Sequence, residues 1–185
     1  MKHFFTLTIL LTALGAIFFE SACGIPRNLT GAQIDPLPAL MIVVALRPPV
    51  LAITGLAIMG SLWQSSISAD PLGISMLPLF LLGMTVHLNK RRISSHHPGQ
   101  RFALGAIAGA IVPALTLGLL LLTSQQPLVG WYSVWQWVVG ILGNGLLALI
   151  FSPWIEWLDR TVEEQPLTAP YDTTTRIIRG PRFYG

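Results

Sequence analysis

Acidic residues are scarce in this chain of 185 residues, which carries 8 Asp and Glu against 11 Lys and Arg. Asp70 is the only acid between Asp35 and Glu156, and no Asp, Glu, Lys, Arg or His occurs from Phe102 to Ile155. A soluble fold needs polar surface somewhere in such a stretch, whereas lipid accepts apolar side chains on every face of a helix. Cysteine is almost missing: the single Cys23 excludes an internal disulfide and any Cys-cluster metal site. There is no Gly-rich phosphate loop with its Lys and Ser/Thr, no H-E-x-x-H and no G-x-S-x-G. What remains is 52% hydrophobic and 10% charged, with a mean hydropathy of +0.64. That balance, in a chain long enough for one domain, is that of an all-α integral membrane protein.

The net charge of +3 does not call for nucleic acid. Lys90, Arg91, Arg92 and Arg101 share one connecting segment, and Arg176, Arg179 and Arg182 lie in the tail. Basic residues beside membrane spans act as topology signals.

A helix crosses the hydrocarbon core in about 20 apolar residues, with tolerance for roughly 17–25. Six candidate spans follow: about Phe4–Phe19, Ile34–Leu46 (short, and tilted or partly re-entrant), Val50–Ile67, Leu72–Leu88, Phe102–Thr123 and Trp131–Phe151. Arg47-Pro48-Pro49 and Ser124-Gln125-Gln126-Pro127 separate spans, because proline lacks a donor and disfavours a helical predecessor. Pro78 and Pro113 fall inside spans, where a kink is expected. With Lys2 inside, six crossings put Arg47, the Lys90–Arg101 loop and the C-terminal tail in the cytoplasm, and nearly all Lys and Arg on one side. Trp131, Tyr132, Trp135 and Trp137 at one end of span six, with Trp154 and Trp157 after the other, mark two interfaces. Residues 1–158 thus form the six-span domain, and 159–185 a cytoplasmic tail of disordered composition.

Lys2, an apolar run and Ser21-Ala22-Cys23-Gly24 also resemble a bacterial lipoprotein signal, but Glu20 stands where such signals carry an apolar residue. The run exceeds the usual 7–15-residue secretory core. Cys23 reads more simply as an interfacial cysteine.

Few polar groups could converge for chemistry. His87, His96 and His97 lie in or beside the basic segment without an adjacent Cys, Asp or Glu, the pattern of a solvated loop rather than a metal site. No ionisable residue stands clearly within a span, which speaks against ion-coupled transport. Ser61, Gln64, Ser65 and Ser68 are spaced i, i+3, i+4, i+7 and share one helical face, suited to interhelical packing or to a partner or ligand. Gly105 and Gly109 form a GxxxG, and Gly140, Gly143 and Gly145 surround Asn144, so close helix approach is expected there, with an internal partner as the default. Asp70-Pro71 is a candidate helix cap, with Pro71 at the first helical position and Gly73 packing closely near the turn; an ion or substrate carboxylate is the competing reading.

The order of several segments resembles the bacterial rod shape-determining protein MreD family over most of residues 4–158. The resemblance rests on Glu20-Ser21, on Ile34-Asp35-Pro36-Leu37-Pro38-Ala39-Leu40, and on Ala45-Leu46-Arg47-Pro48-Pro49. It continues through Gly60-Ser61-Leu62-Trp63-Gln64-Ser65 and Asp70-Pro71-Leu72-Gly73-Ile74-Ser75-Met76-Leu77 to Asn89-Lys90-Arg91-Arg92 and Ser152-Pro153-Trp154. The chain departs from the family at Gln64-Ser65, where members often carry an acid, and the segment after Glu163 falls outside the resemblance.

The resemblance implies a multi-pass protein of the bacterial cytoplasmic (inner) membrane, with no enzymatic activity and no cofactor. Its six-span architecture would be similar to that of the substrate-binding subunits of energy-coupling-factor transporters. It would serve the cell-elongation complex that builds peptidoglycan and maintains rod shape, beside an MreC-like protein and, through it, MreB, RodA and a class B penicillin-binding transpeptidase. The competing expectation is a vitamin-binding subunit of an uptake system, with the Ser61–Ser68 face and Asn144 lining an outward cavity.

Overall fold

A computed structural model describes residues 2–22, 24–47, 50–67, 71–91, 93, 97–123 and 130–163. Every regular element among these is helical: α1 (Lys2–Ala22), α2 (Ile25–Thr30), α3 (Leu37–Ala45), α4 (Val50–Gly55), a π-helical turn (Leu56–Gly60), α5 (Ser61–Ile67), α6 (Met76–Asn89), α7 (Pro98–Leu122) and α8 (Trp131–Glu163). Four stretches are long and apolar enough to cross a membrane: Phe5–Ala22, Val50–Ile67, Pro98–Leu122 and Trp131–Thr161. They coincide with four of the six expected spans. Large apolar side chains along α1, α7 and α8 face outward, among them Leu11, Phe18, Ile111, Leu121, Leu146 and Ile150. This is the surface of a membrane-embedded helical bundle.

The two remaining expected spans are shorter. α3 has nine residues, all of them buried, and rises about 13 Å, less than half a bilayer core. It is sheathed by α1, α4, α6, α7 and α8, which explains why its sequence is apolar on every side. α6 has 14 residues and rises about 21 Å. It starts at Met76 rather than near Leu72, so Pro78 occupies its first turn, where a missing N–H leaves nothing unsatisfied. A first-turn proline does not kink a helix, in contrast to the expectation for Pro78. Pro113 does lie inside α7, and Pro153 inside α8.

α8 also runs further than expected, past Phe151 and past the boundary at residue 158 to Glu163. Ile155 and Leu158 pack into the core, and Asp159 reaches Arg47 beyond the end of α3. Tertiary contact thus holds the extra turns in helical form. Residues 164–185 of the expected tail lie outside the described residues.

α1 and α8 run antiparallel: Trp154 Nε1 approaches Thr12 Oγ1 at 3.5 Å, while Trp135 Nε1 donates to the Thr30 carbonyl at 2.9 Å near the opposite end. Phe5, Ile9, Ala13 and Ile17, one turn apart along α1, form its buried seam. One end of the bundle gathers Arg47, Lys90, Arg101, Glu156, Asp159 and Arg160; the other carries Glu20, Arg27, Asp35 and the Trp131–Trp135 aromatics.

Candidate functional site

The most elaborate polar arrangement surrounds the start of α3, deep in the bundle. A buried helix N-terminus leaves orphan N–H groups that must find acceptors. Here each is met: Leu37 N–H donates to Asp35 Oδ1 (2.9 Å), Pro38 has none to offer, Ala39 N–H donates to Asn144 Oδ1 (3.0 Å) and Leu40 N–H to the Pro36 carbonyl (3.1 Å). Asn144 is buried near the middle of α8, and its Nδ2 donates to the Gly140 carbonyl (2.9 Å). The amide pins α3 across the bundle to α8.

At the other end of α3, His87 of α6 sits with Nδ1 3.0 Å from the Ala45 carbonyl. A carbonyl only accepts, so this nitrogen carries the proton. His87 is therefore a C-terminal cap of α3 rather than a loop residue. His97 is the residue before α7, and its side chain makes no cap bond; His96 lies outside the described residues.

Beyond α3 lies an ionic cluster. Arg47 meets Asp159 (Nη1–Oδ2, 2.6 Å) and Glu156 (Nη2–Oε1, 3.5 Å), and Arg101 meets Glu156 (Nη2–Oε1, 2.6 Å). It joins the end of α3, the start of α7 and the end of α8.

The polar face of the third expected span divides. Ser61 and Ser65 are buried, Ser61 donating to the Ile58 carbonyl (3.2 Å) and Ser65 to the Ser61 carbonyl (2.7 Å). Ser65 Oγ also accepts from Gly73 N–H (3.1 Å), so it holds the turn toward α6. Gln64 buries Oε1 with no hydrogen-bond partner among the described residues, and Ser68 lies outside them.

Pro71 and Gly73 form a turn closed by bonds from Ile74 N–H to the Pro71 carbonyl and from Met76 N–H to the Gly73 carbonyl. The helix begins after them, so Pro71 is not a first helical residue. Gly73 is not needed for close packing either: a Cβ there meets nothing within 4 Å, but its φ of +77° is left-handed. Asp70 lies outside the described residues.

Gly105 and Gly109 of α7 lie against α8. A Cβ on Gly105 would strike the Asn144 carbonyl and Ala148, and one on Gly109 would come within 2.8 Å of the Gly140 carbonyl and 2.9 Å of Asn144 Cβ. Gly143 receives Ile34, and Gly145 receives Phe102, at similar closeness. Gly105, Gly109, Gly143 and Gly145 thus serve close contacts inside the chain, whereas a Cβ on Gly140 would meet nothing within 4 Å, in contrast to the expectation for it.

Two open spaces share Glu20 and Ile34. A groove of about 540 Å³ runs between α1 and α8, and a pocket of about 230 Å³ adjoins it at the end of α1, lined by Ser21, Arg27 and Gln33. Sequence reading used Glu20 only as an argument against a lipoprotein signal and as a family mark. Its place two residues from the end of an apolar helix was the available hint of a buried acid.

Among the described residues no three His, Cys, Asp or Glu side chains cluster as a metal site. Most of the polar groups above engage backbone or one another, an arrangement that holds helices together; Gln64 Oε1 is an exception. Comparisons with protein families, with curated proteins and with solved structures find no match.

Proposed function

We propose that this chain is a non-enzymatic membrane scaffold of the bacterial cell-elongation complex, helping to regulate cell shape by holding partner transmembrane helices beside the wall-synthesis enzymes. The observation that supports this reading is the commitment of most interior polar side chains to the fold: Asn144, Ser61 and Ser65 each bond to backbone groups, and Arg47, Arg101, Glu156 and Asp159 to one another. α1, α7 and α8 also offer long apolar flanks. The ordered resemblance to the MreD family supplies the partners: an MreC-like protein and, through it, MreB, RodA and a class B transpeptidase.

In this reading α3 and α6 are the two shorter of six passes, sheltered by the four long ones, as in the substrate-binding subunits of energy-coupling-factor transporters. The end bearing Arg47, Lys90, Arg101 and Arg160 faces the cytoplasm of the inner membrane. The rival uptake reading needs Ser61 and Asn144 free to line a cavity, whereas both already donate to backbone carbonyls.

Affinity isolation of the tagged chain from its own cells tests the proposal. Retention of an MreC-like protein and a class B transpeptidase is expected. Their absence, with a vitamin raising the melting temperature of the purified protein by mass action, would replace the scaffold with the uptake subunit.

A further inference from the structure

The two spaces that meet at Glu20 have opposite characters. The groove between α1 and α8 is walled by Ala16, Phe19, Leu147, Phe151 and Trp154, and its volume of about 540 Å³ is that of a small-molecule site. Phe19, Ile150 and Trp154 on its rim are exposed, so it opens sideways, toward lipid, along the flank of the bundle. The adjoining pocket is polar and contains both a carboxylate, Glu20, and a guanidinium, Arg27, together with Ser21 and Gln33.

Glu20 is the hinge of the pair. Gln33 and Asp35 stand beside its carboxylate, the first as a hydrogen-bonding neighbour and the second as a like charge, and Oε1 is buried without a hydrogen-bond partner among the described residues. A buried acceptor left so favours a donor in the adjoining polar pocket. The pocket also lies at the end of the bundle where Trp135 binds the Thr30 carbonyl and Trp131 and Tyr132 are exposed, the level at which aromatic belts and lipid headgroups meet.

We propose that the continuous site holds one phospholipid with a primary ammonium headgroup, phosphatidylethanolamine. The ammonium pairs with the Glu20 carboxylate at the junction of the two spaces, the phosphate with Arg27, and an acyl chain lies in the α1–α8 groove. The headgroup chemistry is selective. A choline headgroup has no N–H to offer, and a phosphatidylglycerol headgroup offers hydroxyl donors but no cation, so its phosphate charge approaches Glu20 and Asp35 without the offset an ammonium supplies. A transmembrane helix of another protein could fill the groove but would leave the Glu20–Arg27 pair unmatched. The inference does not depend on the elongation reading.

Native mass spectrometry of the full chain in detergent, titrated with phosphatidylethanolamine, phosphatidylcholine and phosphatidylglycerol of equal chain length, tests it. Retention of one phosphatidylethanolamine at about tenfold lower lipid concentration than phosphatidylcholine is expected, the range of one charge-assisted hydrogen bond. Glu20→Gln should erase that preference, and Ala16→Phe, which fills the groove, should reduce retention of all three lipids. Lipid-free melting temperatures establish that both variants fold; should either fail, the comparison of lipids on the unmodified chain still decides. Equal retention of the three lipids would leave only annular lipid and overturn the proposal. So would Ala16→Phe releasing a co-purifying membrane protein while phosphatidylethanolamine retention is unchanged, which would make the groove a helix-docking site.

Discussion

Replacing Asn144 by Ala removes the one side chain that satisfies the Ala39 N–H at the buried start of α3. Asn144 is 3% exposed, and it joins α3 to α8 through a 3.0 Å bond from Ala39 and a 2.9 Å bond to the Gly140 carbonyl. The Gly140 carbonyl belongs to helix α8 and keeps its own ladder, so losing Nδ2 costs little. The Ala39 N–H has no alternative acceptor in the first turn, and a buried donor left unpaired costs about 1–3 kcal/mol. Hydrogen bonds between membrane helices average only about 0.6 kcal/mol, because chains unfolded in the membrane also find partners. The expected loss is therefore about 1–2 kcal/mol, read as a shift in the SDS-unfolding equilibrium of the purified protein. Asn89→Ala is the control, since Asn89 is exposed and bonds only the Thr85 carbonyl of its own helix. Equal, negligible shifts in both variants would refute the pinning role of Asn144.

Gly105→Ala should destabilise by about 1–3 kcal/mol through overpacking against Asn144 and Ala148. Gly118→Ala, where a Cβ meets nothing within 4 Å, should be neutral or better in the same unfolding assay. Gly73→Ala should cost about 1–2 kcal/mol because φ of +77° is left-handed, and adding bulk at no other turn position should reproduce that loss. Arg47→Met strands Asp159, whose side chain is 19% exposed, while Glu156 keeps Arg101. With Arg47 itself 27% exposed and partly screened, a loss of about 1 kcal/mol is expected, shrinking as salt is raised.

The long apolar helices were legible because lipid leaves its mark on every residue of an exposed span; the charge-free stretch from Phe102 to Ile155 reads as α7 and α8 without further help. α3 and α6 were harder. Leu37–Ala45 is as apolar as a span, yet its apolarity comes from burial by other helices, and composition does not distinguish protein from lipid as the neighbour. At Pro71–Gly73 the mechanism differs from the one its residue types suggest: the glycine answers a left-handed φ, and the helix begins later, at Met76. His87 was invisible as a cap because its partner, Ala45, lies forty-two residues away and is set by tertiary folding, whereas Asp35 caps the Leu37 N–H only two residues on, a local pattern open to sequence reading. Glu20 was seen as an oddity, but only the packing of α1 on α8 puts it at the junction of a groove and a pocket.

The scaffold reading is tested most directly by depleting this chain in the cells that encode it while following lateral wall synthesis with a fluorescent D-amino acid. Rounding of rod-shaped cells with loss of lateral incorporation is expected, reversed by the wild-type chain and reversed poorly by Gly105→Leu, which cannot close α7 onto α8. Cells that keep their shape and their lateral incorporation after complete depletion would contradict it.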